Sequence, residues 1–151
     1  VLYNESNVTV IITDNSVTAM TGHQQHPGTG ITLQKKKTAA VDLEKLVRSI
    51  GFSQVDVCDP YNIDDLAKVL EEHLSSSQPS VIIAKRPCVL YTREKSTPPT
   101  VDPDACVNCG VCLELGCPPL MQAEDHVTID PILCNGCGLC IQVCSSEAIS
   151  R

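Results

Sequence analysis

Eight of the ten cysteines fall in the last third of the 151-residue chain, as two copies of one pattern. The first copy reads Cys106-x-x-Cys109-x-x-Cys112-x4-Cys117-Pro118, and the second reads Cys134-x-x-Cys137-x-x-Cys140-x3-Cys144. Three cysteines spaced by three, with a fourth shortly after, is the spacing that holds 4Fe-4S cubanes. A loop with two residues between cysteines turns three thiolates toward three corners of one cube. Gly110, Gly136 and Gly138 let that loop turn sharply. In this arrangement the fourth cysteine serves the other cluster. The expected ligand sets are therefore Cys106, Cys109, Cys112 and Cys144 for one cubane, and Cys134, Cys137, Cys140 and Cys117 for the second. The first three cysteines of the copies are offset by 28 residues and the fourth by 27, which marks an internal duplication.

Two other chemistries compete for these thiols. Structural zinc draws cysteines in pairs rather than in triplets. A disulfide framework needs an oxidising compartment, and this density of C-x-x-C suits metal better. The first copy has one extra residue before Cys117, and the second has Ser145 where proline often follows; neither change removes a ligand.

Charge is concentrated where the cysteines are. Residues 102–151 carry seven acidic groups against Arg151 alone, and residues 1–101 carry eleven against ten, giving −6 and −1 of the total −7. Such an acidic redox module disfavours nucleic acid and suits docking to basic patches on electron-transfer partners. No apolar run approaches membrane-spanning length and no signal segment opens the chain, so a reducing cytoplasm is the expected compartment. Tryptophan is absent and aromatics are scarce, so Val, Ile and Leu must build the core. The chain opens without methionine, just before a strand-like run, and reads as a fragment of a longer polypeptide.

The elements ahead of the cysteines alternate. Residues 7–13 (NVTVIIT) read as a buried strand, and a helix runs from Asp42 as cap to Gly51 as stop. QVDVC (54–58) reads as a strand, Asp64 to about Ser75 as an amphipathic helix, and SVIIA (80–84) as another strand. This alternation predicts an α/β fold with a mostly parallel sheet over residues 1–91. Residues 92–101, with Pro98-Pro99, read as an extended linker, and residues 102–151 as a small α+β two-cluster domain with a short strand at VTID (127–130). Ligands of parallel sheets bind beyond the carboxyl ends of strands, which is where the long loop 14–37 begins. Asp14, Asn15 and Thr18 offer oxygens suited to magnesium, or to Asx-type turns. His23 and His26 read as loop hydrogen-bonders, Lys35 to Lys37 as a solvated face, and Cys58 and Cys88 as buried free thiols.

Taken together, ITDNSVTAMTGHQQHPGTG (12–30), VIIAKRPC (81–88) and the tandem cluster module resemble the 2-oxoacid:ferredoxin oxidoreductases, most closely the alpha subunits of the indolepyruvate enzymes. The resemblance covers essentially the whole chain. It implies thiamine diphosphate and magnesium bound at the loop. The Asn15 side chain and Val17 carbonyl would be magnesium ligands, with Asp14 ending the strand that presents them. Thr21 and Gly22 would line the diphosphate, with His23 and Gln24 near the reacting end. The implied reaction is oxidative decarboxylation of an aryl pyruvate, with the acyl group passing to coenzyme A. Electrons would leave singly through the clusters to an external ferredoxin, and a second (beta) subunit is implied. The family's Gly-Asp magnesium motif and its thiamine-activating glutamate are expected upstream, so these residues alone are expected to be inactive. A pyruvate or 2-oxoglutarate enzyme is the nearest alternative. The alternative from another class is a non-catalytic electron carrier with an α/β docking domain.

Overall fold

Ser80–Lys85 (β3) is the most buried strand of the chain, with every residue from Ser80 to Ala84 buried. A strand buried on both faces must lie between neighbours. In the computed structural model, which describes residues 1–151, β3 is the middle of a three-stranded parallel sheet. Thr9–Asp14 (β1) pairs on one side, from Thr9 opposite Ser80 to Asp14 opposite Lys85. Gln54–Cys58 (β2) pairs on the other, from Gln54 opposite Ser80 to Cys58 opposite Ala84. All three strands therefore end together, at Asp14, Cys58 and Lys85.

Side chains alternate along a strand, so each face has its own cover. Leu43–Ile50 (α1) places Val47 against Val55, Val81 and Ile83, with Leu43, Phe52, Val10 and Ile12 around them. Its start is fixed by Asp42, which accepts a hydrogen bond from the Lys45 N–H at 3.1 Å. Its end is Gly51 at φ 118°, where a side chain would be strained. Ile63–Ser75 (α2), capped by Asn62, meets the other face. There buried His73 sets Nε2 2.8 Å from Asp56 Oδ2, Asp56 alternating with Val55 on β2. The sequence carried no usable signal for His73; its role is this packing contact.

Two compact units divide the chain, residues 1–92 and 93–151. The second unit includes most of the stretch expected to be a linker. Thr100–Val101 (β4) pairs antiparallel with Ile149–Ser150 (β7), and the Ser96 N–H bonds the Asn135 carbonyl at 3.1 Å. Residues 93–99 take no helix or strand, and the linker reading is corrected only at Thr100–Val101, because a two-residue strand shows no periodicity. Leu120–Gln122 (β5) and Val127–Ile129 (β6) form the other antiparallel pair. The unit repeats itself down to its turns. Asp102 accepts from the Asp104 N–H and Asp130 from the Ile132 N–H, each just before a cysteine loop. Its core is small: Cys112, Leu120, Val127, Cys140 and Ile149.

Within the first unit, Val89–Thr92 (α3) is a single turn after β3. The long loop 14–37 is not structureless. Thr18 bridges Gln24, Pro27–Thr29 form a 3-10 turn, and Ile31 bridges Lys37. Cys58 is buried, whereas Cys88 is only half-buried, contrary to expectation. The reason is that Cys88 lies in the turn leaving the sheet. Lys35, Lys36 and Lys37 are exposed.

Candidate cluster-binding site

Each cysteine loop leads into one helical turn, Val111–Leu115 in the first copy and Leu139–Gln142 (α4) in the second. Gly110 and Gly138 stand before these turns with φ of 76° and 82°. The turns carry Cys112 and Cys140 inward, and both are buried.

The chain folds back so that the fourth cysteines change sides. Burial pushes the Cys112 thiol up, and the neighbouring thiols of Cys144, Cys109 and Cys106 push it further. Burial also raises Cys117, whose thiol neighbours are Cys137 and Cys134. Cys140 is pushed up to about 11 by burial and by Cys137, Cys134 and Cys117. Cys144 is the exception. Burial acts to raise it, but the Ser146 hydroxyl and the N–H groups of Ile149, Ala148 and Ser146 outweigh that, and the thiol is lowered. Thus Cys144 stands with the first triplet and Cys117 with the second.

Cys106, Cys109, Cys112 and Cys144 line one small pocket of about 10 Å³, bounded by apolar groups that include Val101, Val127 and Ile149. No three His, Cys, Asp or Glu side chains converge on a position for a single ion. In the second copy, the Gly136 N–H donates to Cys134 Sγ at 3.3 Å. Donor N–H groups aimed at sulfur suit a thiolate.

At the carboxyl end of β1, Asp14 Oδ1 accepts from the Ser16 N–H at 2.9 Å, and Asn15 Oδ1 accepts from the Val17 N–H at 3.2 Å. Both Asx turns weighed from sequence are therefore formed. Asp14 Oδ2 also lies 3.7 Å from Lys85 Nζ. Val17 is buried, and its carbonyl takes no backbone hydrogen bond. Thr18 and Gln24 then exchange both backbone hydrogen bonds, making a hairpin with Thr21, Gly22 and His23 near its tip. Thr21 donates its hydroxyl to Gln24 Oε1 at 2.9 Å.

Tyr91 is the residue the sequence did not disclose. Its ring stacks on His23, with centroids 5.7 Å apart, and its hydroxyl accepts from Gln25 Nε2 at 3.0 Å. His26 hydrogen-bonds within the loop, Nδ1 accepting from the Gly28 N–H. Beyond the strand ends lies a hollow of about 530 Å³, lined by Asp14, Val57, Ile83 and Lys85 and by the first turn of α1. Of the loop residues expected to bind cofactor, only Asp14 lines it.

Residues 1–84 match the family model described as "Thiamine pyrophosphate enzyme, C-terminal TPP binding domain". Residues 127–150 match "4Fe-4S binding domain", a span that contains the second cysteine copy. The chain is 36% identical to an "Indolepyruvate oxidoreductase subunit IorA" of Archaeoglobus fulgidus, over 98% of this chain and 25% of that protein. A subunit of the same name from Methanothermobacter thermautotrophicus is 33% identical over 98% of this chain and 24% of its own length. One from Pyrococcus horikoshii is 36% identical over 78% and 19%. The chain thus spans about a quarter or less of the length of these curated relatives. No helix is long and apolar enough to cross a membrane. With its first 84 residues matched by that model, the chain belongs to the thiamine pyrophosphate enzyme family, carries the family's C-terminal TPP binding domain ahead of a 4Fe-4S binding domain, and has subunits IorA of indolepyruvate oxidoreductase as homologues along nearly its whole length.

Proposed function

We propose that these residues are the electron outlet and part of the thiamine site of a 2-oxoacid:ferredoxin oxidoreductase alpha subunit acting on indolepyruvate or a related aryl pyruvate. Two 4Fe-4S clusters would be held by crossed sets, Cys106, Cys109, Cys112 and Cys144 in one and Cys134, Cys137, Cys140 and Cys117 in the other. The observation that carries this reading is the regrouping of the fourth cysteines, Cys144 beside the first triplet and Cys117 beside the second. A tetrahedral zinc site holds thiolate sulfurs about 2.3 Å from the ion and so draws them to a point. Here the thiols lining one pocket are a triplet and a distant fourth, not the paired cysteines that zinc usually draws.

The donor chemistry suits the cofactors. Clusters supply one-electron storage and transfer, and thiamine diphosphate supplies decarboxylation chemistry. Val101, Val127 and Ile149 line the pocket beside the first set of thiols. The Asn15 side chain and the Val17 carbonyl are hard oxygen donors at the end of β1, suited to magnesium. The Asx turn and the Cys88 N–H, which donates to the Asn15 carbonyl at 2.9 Å, fix their direction. Tyr91 holds His23 at the hairpin, and Thr21, Gly22 and Gln24 offer polar groups beside it. Turnover, with a second subunit, coenzyme A and an external ferredoxin, belongs to the complete enzyme.

The test is iron, acid-labile sulfide and zinc per chain after anaerobic reconstitution, with an EPR spectrum of the reduced sample. About eight irons with signals of two interacting cubanes are expected. Tightly held zinc with no reducible iron would sink the reading.

A further inference from the structure

The two halves of the cysteine module are equivalent strand by strand. Val101 and Ile129 each precede the first cysteine of a triplet by five residues, and their strand partners are Ile149 and Leu120. Two residues beyond those partners stand Arg151 and Gln122. Both side chains reach back to the same point of a cysteine loop. Arg151 Nη2 donates to the carbonyl of Gly136, the second residue after Cys134. Gln122 Nε2 donates at 2.8 Å to Oδ1 of Asn108, the second residue after Cys106. Equivalent loop positions are thus bound in both halves, by a charged donor at a backbone carbonyl in one and by a neutral donor at a side-chain oxygen in the other.

Arg151 is held close to its loop. A Cβ added at Gly138 would lie 3.1 Å from Arg151 Nη2, and Gly136 donates its own N–H to Cys134 Sγ. It is the sole cationic residue of the stretch 102–151. The amide of Gln122, by contrast, is shared with the carbonyls of Ala123 and His126 in its own hairpin.

We propose that Arg151 makes the Cys134–Cys140 loop the more oxidising of the two cluster sites, raising its reduction potential through a guanidinium charge that Gln122 does not supply to the first. This rests on the two-cluster reading above. Reduction adds one negative charge to a cubane, and a fixed cation beside the loop stabilises that charge more than it stabilises the oxidised form. Burial works the other way. Cys134, Gly136, Gly138 and Cys140 are buried, whereas Cys109 is exposed, and a drier site resists added charge. Arg151 more than offsets that penalty at the buried loop, because its guanidinium is bonded directly to the loop backbone. An electron lost by the first cluster is then the electron gained by the second, with no proton or group moving, and this bias gives the outlet a direction.

The experiment is an EPR-monitored redox titration with dithionite on the whole reconstituted chain and on R151Q, R151K and Q122R. R151Q is expected to shift one cluster about tenfold toward its oxidised form, which is 59 mV for one electron, and to leave the other in place. R151K is expected to restore most of that shift, and Q122R to move the other cluster in the opposite sense. Full iron with both potentials unmoved in R151Q would overturn the proposal alone, as would an R151K shift equal to that of R151Q, which would indicate loop distortion rather than charge. About four irons in the unsubstituted chain would overturn the two-cluster reading and this proposal with it.

Discussion

Cys144 and Cys117 are the residues on which the site's connectivity turns. Each lies in one copy of the duplication and stands among the thiols of the other. Cys144→Ala is expected to cost about half the iron and leave the cluster of Cys134, Cys137, Cys140 and Cys117, since a cubane is held by four thiolates. Cys117→Ala should leave the other one. The check is iron content with EPR, using C109A and C137A as markers of the first and second cluster. If C144A matched C137A rather than C109A, the crossed sets would be wrong. Gly136 is constrained more tightly than any other glycine in the second unit. Its φ is 73°, and an added Cβ would overlap the Ser96 carbonyl. Gly136→Ala combines left-handed strain with overpacking, at least about 2 kcal/mol together, read as a lower urea midpoint for residues 93–151.

Among the elements, β3 does most to organise the first unit, because it is the strand paired on both sides. Ile82 has no exposed surface and Ile83 only 2%. Ile82→Ala is expected to destabilise the first unit by about 2–5 kcal/mol, measured by urea unfolding followed by circular dichroism. Loss of β3 order also releases the loop, since the Arg86 and Cys88 N–H groups hold the Asp14 and Asn15 carbonyls. The same variant should therefore free His23 from Tyr91, read as a change in the ring environment of Tyr91 by NMR. Were stability to fall by less than about 1 kcal/mol, the central position of β3 would be in doubt.

For the molecule as a whole, the two units differ in what holds them. Residues 1–92 have a packed sheet and two helices, with Val47, Val55, Val81 and Ile83 at the centre. Residues 93–151 have a core of five buried residues, two of them cysteines. A unit of that size buries too little apolar surface to fold securely unaided, so bound metal should carry much of its folding. Removing iron with a chelator is expected to expose residues 93–151 to limited proteolysis while residues 1–92 stay resistant. Equal resistance of both units after chelation would count against a cofactor-dependent fold.

Whatever depends on near neighbours along the chain was legible in the order of residues. Three-residue cysteine spacing named the cofactor class, the alternating apolar pattern gave β1, α1, β2, α2 and β3 to within two residues, and Asp42 and Gly51 marked the ends of α1. Asp14 and Asn15 formed the local turns their side chains favour. Contacts between distant parts of the chain became visible in the folded molecule alone. β4 pairs with β7 through Thr100 opposite Ser150, and so the last two residues of a stretch that reads as linker become sheet. Tyr91 meets His23 and Gln25 from 66 or more residues away. Arg151 and Gln122 reach equivalent points of two loops although nothing in their own sequence neighbourhoods resembles each other. The physical reason is common to all three. Spacing and periodicity report on torsions and on one face of one element, whereas long-range contacts are fixed by burial and hydrogen bonding after the elements have packed, and that packing leaves no local signature.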